Sequence, residues 1–310
     1  MSLGAGVSPT GTARLPGGLS AFPLTPFDGD RVDEAAFAGL VQRLVAAGVD
    51  SITVLGSTGS YPYLDRAERA RVAQLAVQHA DEVPVLVGVG ALRTSWVHQH
   101  VDDAQQAGAA GVLLAPVSYQ ALTDEDVYGL YRDVTDELAV PLVVYDNPGT
   151  THVSFTDDLY GEIARLPHVS SIKIPGVPAE PAAAAERIAQ LRTVLPESVT
   201  IGVSGDALGA TGLSAGCAVW YSVLGGTVPE PVLAITRAAL SGAAAEAEDR
   251  SQRVRPLWDL FALHGSLRVT AAIAEELGLV PRSCLPLPLR GLDARDRARV
   301  ATVLHRLEVG

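Results

Sequence analysis

Hydrophobic and polar positions change in a regular rhythm along this chain. Short apolar runs alternate with longer stretches in which apolar residues recur at every third or fourth position. The short runs are typical of buried strands, and the longer stretches are typical of amphipathic helices. The predicted strands are 19–22, 51–54, 85–89, 111–114, 142–145, 170–174, 200–203 and 218–223. The predicted helices between them are 33–47, 65–80, 95–107, 123–138, 156–166, 181–195 and 207–215.

Several predicted helices begin with a side chain that can accept a hydrogen bond from the first free backbone N–H groups. These predicted N-caps are Asp33, Asp65, Ser95, Thr123 and Thr156. They support the helix boundaries and the strict alternation of strand and helix.

Successive strand–helix units of this size, with no linker between them, predict an α/β protein built as a TIM (β/α)8 barrel. The alternative, a doubly wound open sheet, would usually carry a glycine-rich loop after the first strand, whereas residues 22–26 read Phe-Pro-Leu-Thr-Pro. Further helices are predicted at 230–241, 244–261, 267–277 and 294–307. We therefore predict a flexible arm at 1–18, a barrel at 19–243, and a helical extension at 244–310 that serves packing or subunit association.

Composition narrows the functional classes. The chain has 310 residues, 48% of them hydrophobic, and a formal net charge of -12 with a pI near 5.0. This acidic balance argues against nucleic acid or an anionic membrane as a partner, because both bind clustered cations. No apolar run approaches the length of a membrane span. Cys217 and Cys284 are too few and too far apart for a disulfide framework, so a cytoplasmic location is expected.

Lys173 is the only lysine among the 23 lysine and arginine residues of the chain. Lysine can lose its proton when it is desolvated and then acts as a nucleophilic amine, whereas a guanidinium stays protonated. The residue lies near the end of a predicted interior strand that closes in Pro175-Gly176. We therefore favour a reactive amine over a chance lysine paired with a carboxylate.

Alternation along the predicted strands places further polar side chains near this lysine. Ser171 and Lys173 face the barrel interior on the sixth strand, as do Val143 and Tyr145 on the fifth. Neighbouring strands lie about 4.8 Å apart, so the phenol and the amine could share one small substrate. Tyr145 could then move protons during addition to a carbonyl, although a core tyrosine bonded to a carbonyl oxygen is the simpler reading of that residue alone.

The second strand ends in Gly-Ser-Thr-Gly-Ser at 56–60. Glycines let backbone N–H groups converge, and together with the hydroxyls of Ser57 and Thr58 they form a nest suited to a carboxylate. Such a loop is weak support by itself. Its expected position on the same barrel rim as Lys173 strengthens it.

Ordered motifs at these strand ends resemble those of the dihydrodipicolinate synthase and N-acetylneuraminate lyase family. The loop 56–60 is similar to the family's GTTGE motif, residues 145–148 (Tyr-Asp-Asn-Pro) to YNxP, and Ile172-Lys173 to IK. The segments 22–27, 115–119 and 204–206 match as well. The resemblance extends from about residue 19 to the C-terminal helices.

This resemblance implies a class I aldolase or lyase without metal or cofactor, in which Lys173 forms an imine with pyruvate or a related 2-oxo acid that reacts with an aldehyde. Ser57 and Thr58 would bind the carboxylate, and Ser57 would relay protons with Tyr145. Tyr119 would complete the relay from a neighbouring subunit of a homotetramer, a dimer of dimers. The remaining residues implied to bind substrate are Gly205, Asp206 and Tyr221.

Departures from the family pattern concern the substrate. Thr150 stands where related synthases carry an arginine for the second substrate's carboxylate, and Asp146 replaces the usual asparagine. Ile174-Pro175 and the bulky Trp220-Tyr221 also suggest a differently shaped pocket. Aldol cleavage or condensation is the leading expectation. The alternatives are dehydration of a 2-oxo-3-deoxy sugar acid through the same imine, dihydrodipicolinate synthesis proper, and a degenerate barrel that senses a ligand.

Overall fold

The structure, a computed structural model, describes residues 15–308. The predicted N-terminal arm therefore falls almost wholly outside the described residues. Eight parallel strands close into a barrel in which each lies beside the barrel strands that precede and follow it in the chain, the first beside the last, and helices connect them on the outside. The predicted TIM barrel is confirmed.

The eight barrel strands agree with the predicted ones to within one residue at every end. The strands of the structure are β1 Gly18–Ala21, β2 Phe27–Asp28, β3 Arg31–Val32, β4 Ser51–Val54, β5 Val85–Gly88, β6 Gly111–Leu114, β7 Leu142–Tyr145, β8 Val169–Ile174, β9 Thr200–Val203 and β10 Val219–Ser222. The short antiparallel pair β2–β3 lies outside the barrel and was not predicted. It contains too few residues to show alternation.

The helices follow the predicted periodic stretches, except for a one-turn helix at Pro148–Thr151, which was not predicted. They are α1 Glu34–Ala47, α2 Arg66–His79, α3 Thr94–Ala107, α4 Asp124–Thr135, α5 Pro148–Thr151, α6 Asp157–Ile163, α7 Pro181–Val194, α8 Gly209–Ser214, α9 Pro229–Leu240, α10 Ala244–His264, α11 Ser266–Glu276 and α12 Ala294–Arg306. The last three lie in the predicted extension, where they pack on one another and on α9. A domain boundary at residue 243 stays a prediction.

Helix starts depend on side chains that accept from exposed N–H groups. Asp33, Asp65, Thr123 and Thr156 each accept a hydrogen bond from a backbone N–H in the first turn, as predicted. The prediction that Ser95 caps α3 was wrong, because that helix begins one residue earlier, at Thr94, and its N-cap residue makes no side-chain bond. Thr94 and Ser95 both carry a hydroxyl that could cap a helix, but α3 already includes them, so Arg93 is its N-cap residue.

The strands contribute apolar side chains to two layers, one inside the barrel and one between the strands and the helices. Side chains on one face of the strands fill the barrel interior, and those on the other face pack against the helices. Val143 and Tyr145 belong to the interior cluster, whereas Val144, Ile172 and Ile174 belong to the outer one. In the ladder between β7 and β8, Tyr145 pairs with Lys173. The predicted alternation is therefore confirmed, and the carboxyl ends of both strands bring their last interior side chains to one rim.

No helix among residues 15–308 is long and apolar enough to cross a membrane.

Candidate active site

Lys173 lies at the carboxyl end of β8 with only 5% of its surface exposed. Its Nζ is 4.1 Å from the ring centroid of Tyr145 and 5.8 Å from that of Phe22. Within residues 15–308 it forms no salt bridge, so the carboxylate-paired alternative does not describe it. Burial lowers the pKa of Lys173, and this outweighs the opposing effect of the negative groups around it. The neutral, nucleophilic amine is therefore more accessible than in an exposed lysine.

Tyr145 ends β7 beside this amine and is 4% exposed. Its hydroxyl oxygen lies 3.0 Å from Ser57 Oγ and accepts a hydrogen bond from Asn147 Nδ2 at 2.9 Å. Burial alone would raise the pKa of Tyr145, but the charge of Lys173 and these hydrogen bonds outweigh it, so the pKa lies below its usual value. The simpler reading, a core tyrosine bonded to a carbonyl, instead fits Tyr131, whose hydroxyl donates to the Leu114 carbonyl at 2.7 Å.

The loop at 56–60 has the tight geometry that the sequence predicted. A Cβ on Gly56 would lie 2.8 Å from the Phe22 ring, and one on Gly59 would lie 2.9 Å from the Leu55 nitrogen. Leu55 and Ser60 both adopt positive φ angles, at 56° and 54°. This sharp turn presents Ser57 to Tyr145 across the barrel mouth. The rim thus joins a hydroxyl from β4's loop, a phenol from β7 and an amine from β8.

Tyr221 is in the barrel interior and 2% exposed. Its hydroxyl donates to Ser171 Oγ at 2.8 Å, and its ring meets Phe22 edge to face at 6.0 Å. Ser171 lies one interior position below Lys173 on the same strand. Tyr221 therefore lies below the Lys173 amine in the barrel interior. This position is compatible with the predicted binding role, but the Tyr221 hydroxyl already has a hydrogen-bond partner.

The expectation that Trp220 shapes the pocket was wrong. Trp220 is fully buried on the outer face of β10, where a Cβ on Gly209 would lie 2.1 Å from the indole ring. Its Nε1 donates to Asp206 Oδ1 at 3.2 Å. Adjacent residues of a strand point to opposite faces, so only Tyr221 of the pair can face the interior.

Asp206 follows β9 and is 5% exposed. Besides the Trp220 indole, its carboxylate accepts from the backbone N–H groups of Val223, at 3.2 Å, and Leu224, at 2.8 Å. Burial raises the pKa of Asp206, and these donors counteract that effect. Gly205 before it adopts a φ of 78°, a conformation that suits glycine. The contacts make Asp206 a link between the ends of β9 and β10, while its predicted role in substrate binding stays a prediction.

Tyr119 does not join the other predicted catalytic residues within one chain. It lies in the loop after β6 and is 91% exposed. Thr150 is also exposed, in the short helix α5, where its hydroxyl donates to the Asn147 carbonyl at 3.3 Å. Asp146 points away from the interior, accepts a hydrogen bond from the Tyr160 hydroxyl, and donates its backbone N–H to the Lys173 carbonyl at 3.1 Å.

Asn147 contacts the candidate site, although no role was predicted for it from the sequence. It touches the Tyr145 hydroxyl, although it was considered only as a variable position within the Tyr-Asp-Asn-Pro motif. A signal was present, because Asn147 is the only asparagine in 310 residues. Like Lys173, it is the single residue of its type in the chain.

Within residues 15–308, no three or more His, Cys, Asp or Glu side chains are grouped in a way that could hold a metal ion.

The fold and its polar rim define an enzyme of the TIM-barrel class, with functional side chains at the carboxyl ends of the strands. Residues 15–307 match the model of the dihydrodipicolinate synthetase family, and the chain belongs to that family. The predicted family and the predicted lyase class are confirmed.

Individual relatives agree with this assignment. A 4-hydroxy-tetrahydrodipicolinate synthase of Methylococcus capsulatus is 30% identical over 288 residues, covering 92% of this chain and 96% of its own. The crystal structure of dihydrodipicolinate synthase from Agrobacterium tumefaciens is 43% identical, covers 94% of this chain and 98% of its own, and superposes with a TM-score of 0.90. A monomeric dihydrodipicolinate synthase variant, 23% identical over 98% of this chain and all of its own, shares the fold with a TM-score of 0.87.

Proposed function

We propose that this enzyme forms a Schiff base between Lys173 and the carbonyl carbon of a 2-oxo acid, with pyruvate as the simplest substrate. The observation that carries the proposal is the buried, unpaired amine held 4.1 Å from the Tyr145 ring. An amine in this setting can lose its proton at modest cost and attack a carbonyl. Family membership supports the same chemistry.

The surrounding groups have distinct tasks in this proposal. The loop at 56–60, with Ser57 and Thr58, holds the substrate carboxylate and sets the carbonyl against Lys173. Addition of the amine gives a carbinolamine, and its hydroxyl leaves as water after it receives a proton from the Tyr145–Ser57 pair. The protonated imine then draws electrons from C3, so loss of a C3 proton yields the enamine that adds to an aldehyde. Aldol cleavage follows the same path in reverse.

The imine is tested directly by incubation with pyruvate and borohydride followed by intact-mass measurement. One adduct per chain is expected, and peptide mapping should place it on Lys173. Because the chain has no other lysine, the N-terminus is the only competing amine. Lys173→Ala and Lys173→Arg should both lack the adduct, since a guanidinium cannot form the imine. An adduct that persists in either variant would refute the proposal.

Several finer features of the function belong to the same proposal. The identity of the aldehyde belongs to this proposal: the exposed Thr150 offers one hydroxyl in place of a bidentate cation, which disfavours a short anionic aldehyde, and dihydrodipicolinate synthesis is the alternative that the related synthases support. A 4-hydroxy-2-oxo acid, or a 2-oxo-3-deoxy sugar acid that is dehydrated instead of cleaved, fits this site better than a short anionic aldehyde. A substrate panel analysed for cleavage and for dehydration products separates the two reactions.

Subunit association is part of the proposal as well. Tyr119 is 91% exposed and does not join the other predicted catalytic residues of its own chain. Such exposure suits a residue that enters a neighbouring site of a homotetramer. One solved relative is described as a monomeric variant, so the fold alone does not determine the state of association. Light scattering of the purified enzyme measures it. A cytoplasmic location stays a prediction.

A further inference from the structure

The side-chain amide of Asn147 is aimed at the reactive tyrosine from behind the rim. Its Nδ2 donates to the Tyr145 hydroxyl oxygen at 2.9 Å, and Ser57 Oγ lies 3.0 Å from the same oxygen. An amide nitrogen can only donate, whereas a serine hydroxyl can donate or accept. The Thr150 hydroxyl also contributes to lowering the pKa of Tyr145, but it donates to the Asn147 carbonyl at 3.3 Å, whereas Ser57 Oγ makes the direct hydrogen bond to the phenol. With one lobe of the phenol oxygen occupied by the amide, Ser57 is therefore the nearest acceptor for the hydrogen of a neutral Tyr145.

An asparagine at the start of a helix usually caps it with its side chain, and Asn147 does not do so. Asn147 is the N-cap of α5, but its side chain makes no capping hydrogen bond. Its backbone carbonyl instead accepts from the N–H groups of Thr150 and Thr151, each at 3.0 Å, and from the Thr151 hydroxyl at 3.1 Å. These hydrogen bonds hold the backbone of the turn, and the side-chain amide is left free to donate to Tyr145.

The composition of the chain adds a second, independent observation. Asn147 is the only asparagine, while several other helix starts are capped by aspartate or threonine, as at Asp33, Asp65 and Thr123. A cap at residue 147 could equally have been aspartate. A carboxylate, however, cannot donate to a phenol oxygen, and it would repel a phenolate. The amide is thus retained where a donor is required.

We propose that Asn147 is a positioning residue that orients the Tyr145 proton toward Ser57 and so sets the direction of the proton relay. This inference rests on the proposed imine chemistry at Lys173. Ser57 accepts from Tyr145 and is left free to donate its own proton to the departing hydroxyl of the carbinolamine. The products of that step are water, a protonated imine and a Tyr145 phenolate, so protons and charges balance.

The same hydrogen bond stabilises the phenolate that remains. The donated N–H of Asn147 is one of the causes that lower the pKa of Tyr145, after the charge of Lys173. The ionisable group whose charge lowers the pKa of Tyr145 is Lys173 on β8, and the charge of Tyr145 in turn raises the pKa of Tyr61, which follows β4. Asn147→Leu alters neither group and adds no charge, so a changed titration of Tyr145 in that variant can be attributed to the lost donor, whereas Asn147→Asp also adds the charge of a carboxylate.

The test uses two nearly isosteric variants, Asn147→Leu, which lacks the donor, and Asn147→Asp, which can only accept. The rate of imine formation with pyruvate is followed by borohydride quenching and intact mass across pH. Asn147→Leu should be slower by about tenfold, the effect of one hydrogen bond to a charged oxygen. Asn147→Asp should be slower still, because it turns the Tyr145 proton away from Ser57. The KM for pyruvate should change little in both.

A second measurement does not depend on activity. The near-ultraviolet absorbance of tyrosinate, recorded as the difference between each chain and its Tyr145→Phe version, reports the ionisation of Tyr145 alone. The ionisation should move to higher pH in Asn147→Leu and further in Asn147→Asp. In the Tyr145→Phe background, Asn147→Leu should cause no further loss of rate, because the two residues act as a unit.

The outcomes separate the two proposals. If the parent enzyme forms no adduct at Lys173, the proposed function fails, while the tyrosinate titration still tests the hydrogen bond. If the parent forms the adduct but Asn147→Leu keeps both the parent rate and the parent titration, the inference about Asn147 is wrong. Asn147 would instead serve the packing of the turn if the Leu and Asp variants lost equal amounts of rate and the titration of Tyr145 did not change. The same conclusion would follow if the rate loss of Asn147→Leu added to that of Tyr145→Phe. Thr151→Val, which loosens the same turn without touching the amide, shows the size of such a packing effect.

Discussion

Replacement of Tyr145 by phenylalanine removes one oxygen from the centre of the proposed relay and little else. The ring stays in the barrel interior, so the packing and the contact with the Lys173 amine, 4.1 Å from the ring centroid, are retained. The oxygen that is lost is bonded to Ser57 and to Asn147. Loss of these hydrogen bonds should lower the free energy of unfolding by only about 1–2 kcal/mol, because both partners lie partly exposed and can bind water.

The effect on turnover should be much larger than the effect on stability. A general acid–base group contributes about a hundredfold or more, and a hundredfold corresponds to about 2.7 kcal/mol in the activation barrier. The pH dependence carries a second signature. The negative charge on Tyr145 is the largest of the causes that raise the pKa of Lys173 against the effect of burial. Where Tyr145 is ionised in the parent enzyme, its removal lowers the pKa of Lys173 further, so the ascending limb of the pH–rate profile should move to lower pH. Where Tyr145 is neutral, the limb should keep its position and only the rate should fall.

The assay compares Tyr145→Phe with Tyr131→Phe as a matched control. Tyr131 is also fully buried, but its hydroxyl donates to the Leu114 carbonyl outside the barrel interior. Its loss should cost about 1 kcal/mol of stability and leave imine formation within a fewfold of the parent. If Tyr145→Phe behaves like this control in rate and in pH profile, Tyr145 is a core tyrosine and the relay is wrong.

Three further predictions test other parts of the site. Ser57→Ala should slow imine formation less than Tyr145→Phe does, because the backbone N–H of residue 57 remains; an unchanged rate in single-turnover quenching would remove Ser57 from the relay. Mixing inactive Tyr119→Phe with inactive Lys173→Ala should restore some activity in hybrid assemblies, and full activity in a verified monomer would contradict a contribution in trans. Aspartate semialdehyde should be a poor acceptor because Thr150 offers one hydroxyl; condensation at a rate comparable to the best aldehyde of a panel would restore the biosynthetic assignment.

The sequence by itself determined the strands, most helix starts and the interior position of the key residues. A period of two along a strand is a local property, so placing Lys173 and Tyr145 on one face needed no knowledge of distant contacts. The same alternation along β10 places Trp220 and Tyr221 on opposite faces, so only Tyr221 can add bulk to the barrel interior. The single lysine pointed to the chemistry because burial makes an isolated amine informative.

Only the tertiary structure decided what the loop residues touch. Beyond a strand end the direction of a side chain depends on how the loop packs against its neighbours, and no periodicity in the sequence encodes that packing. The Asp206 carboxylate accepts from three donors, the Trp220 indole within β10 and the backbone N–H groups of residues 223 and 224 after it, and no pattern in the sequence indicated these contacts. Asn147 could have capped α5, but its amide reaches back to Tyr145. These contacts join residues from separate strands and loops, so they exist only once the barrel has closed.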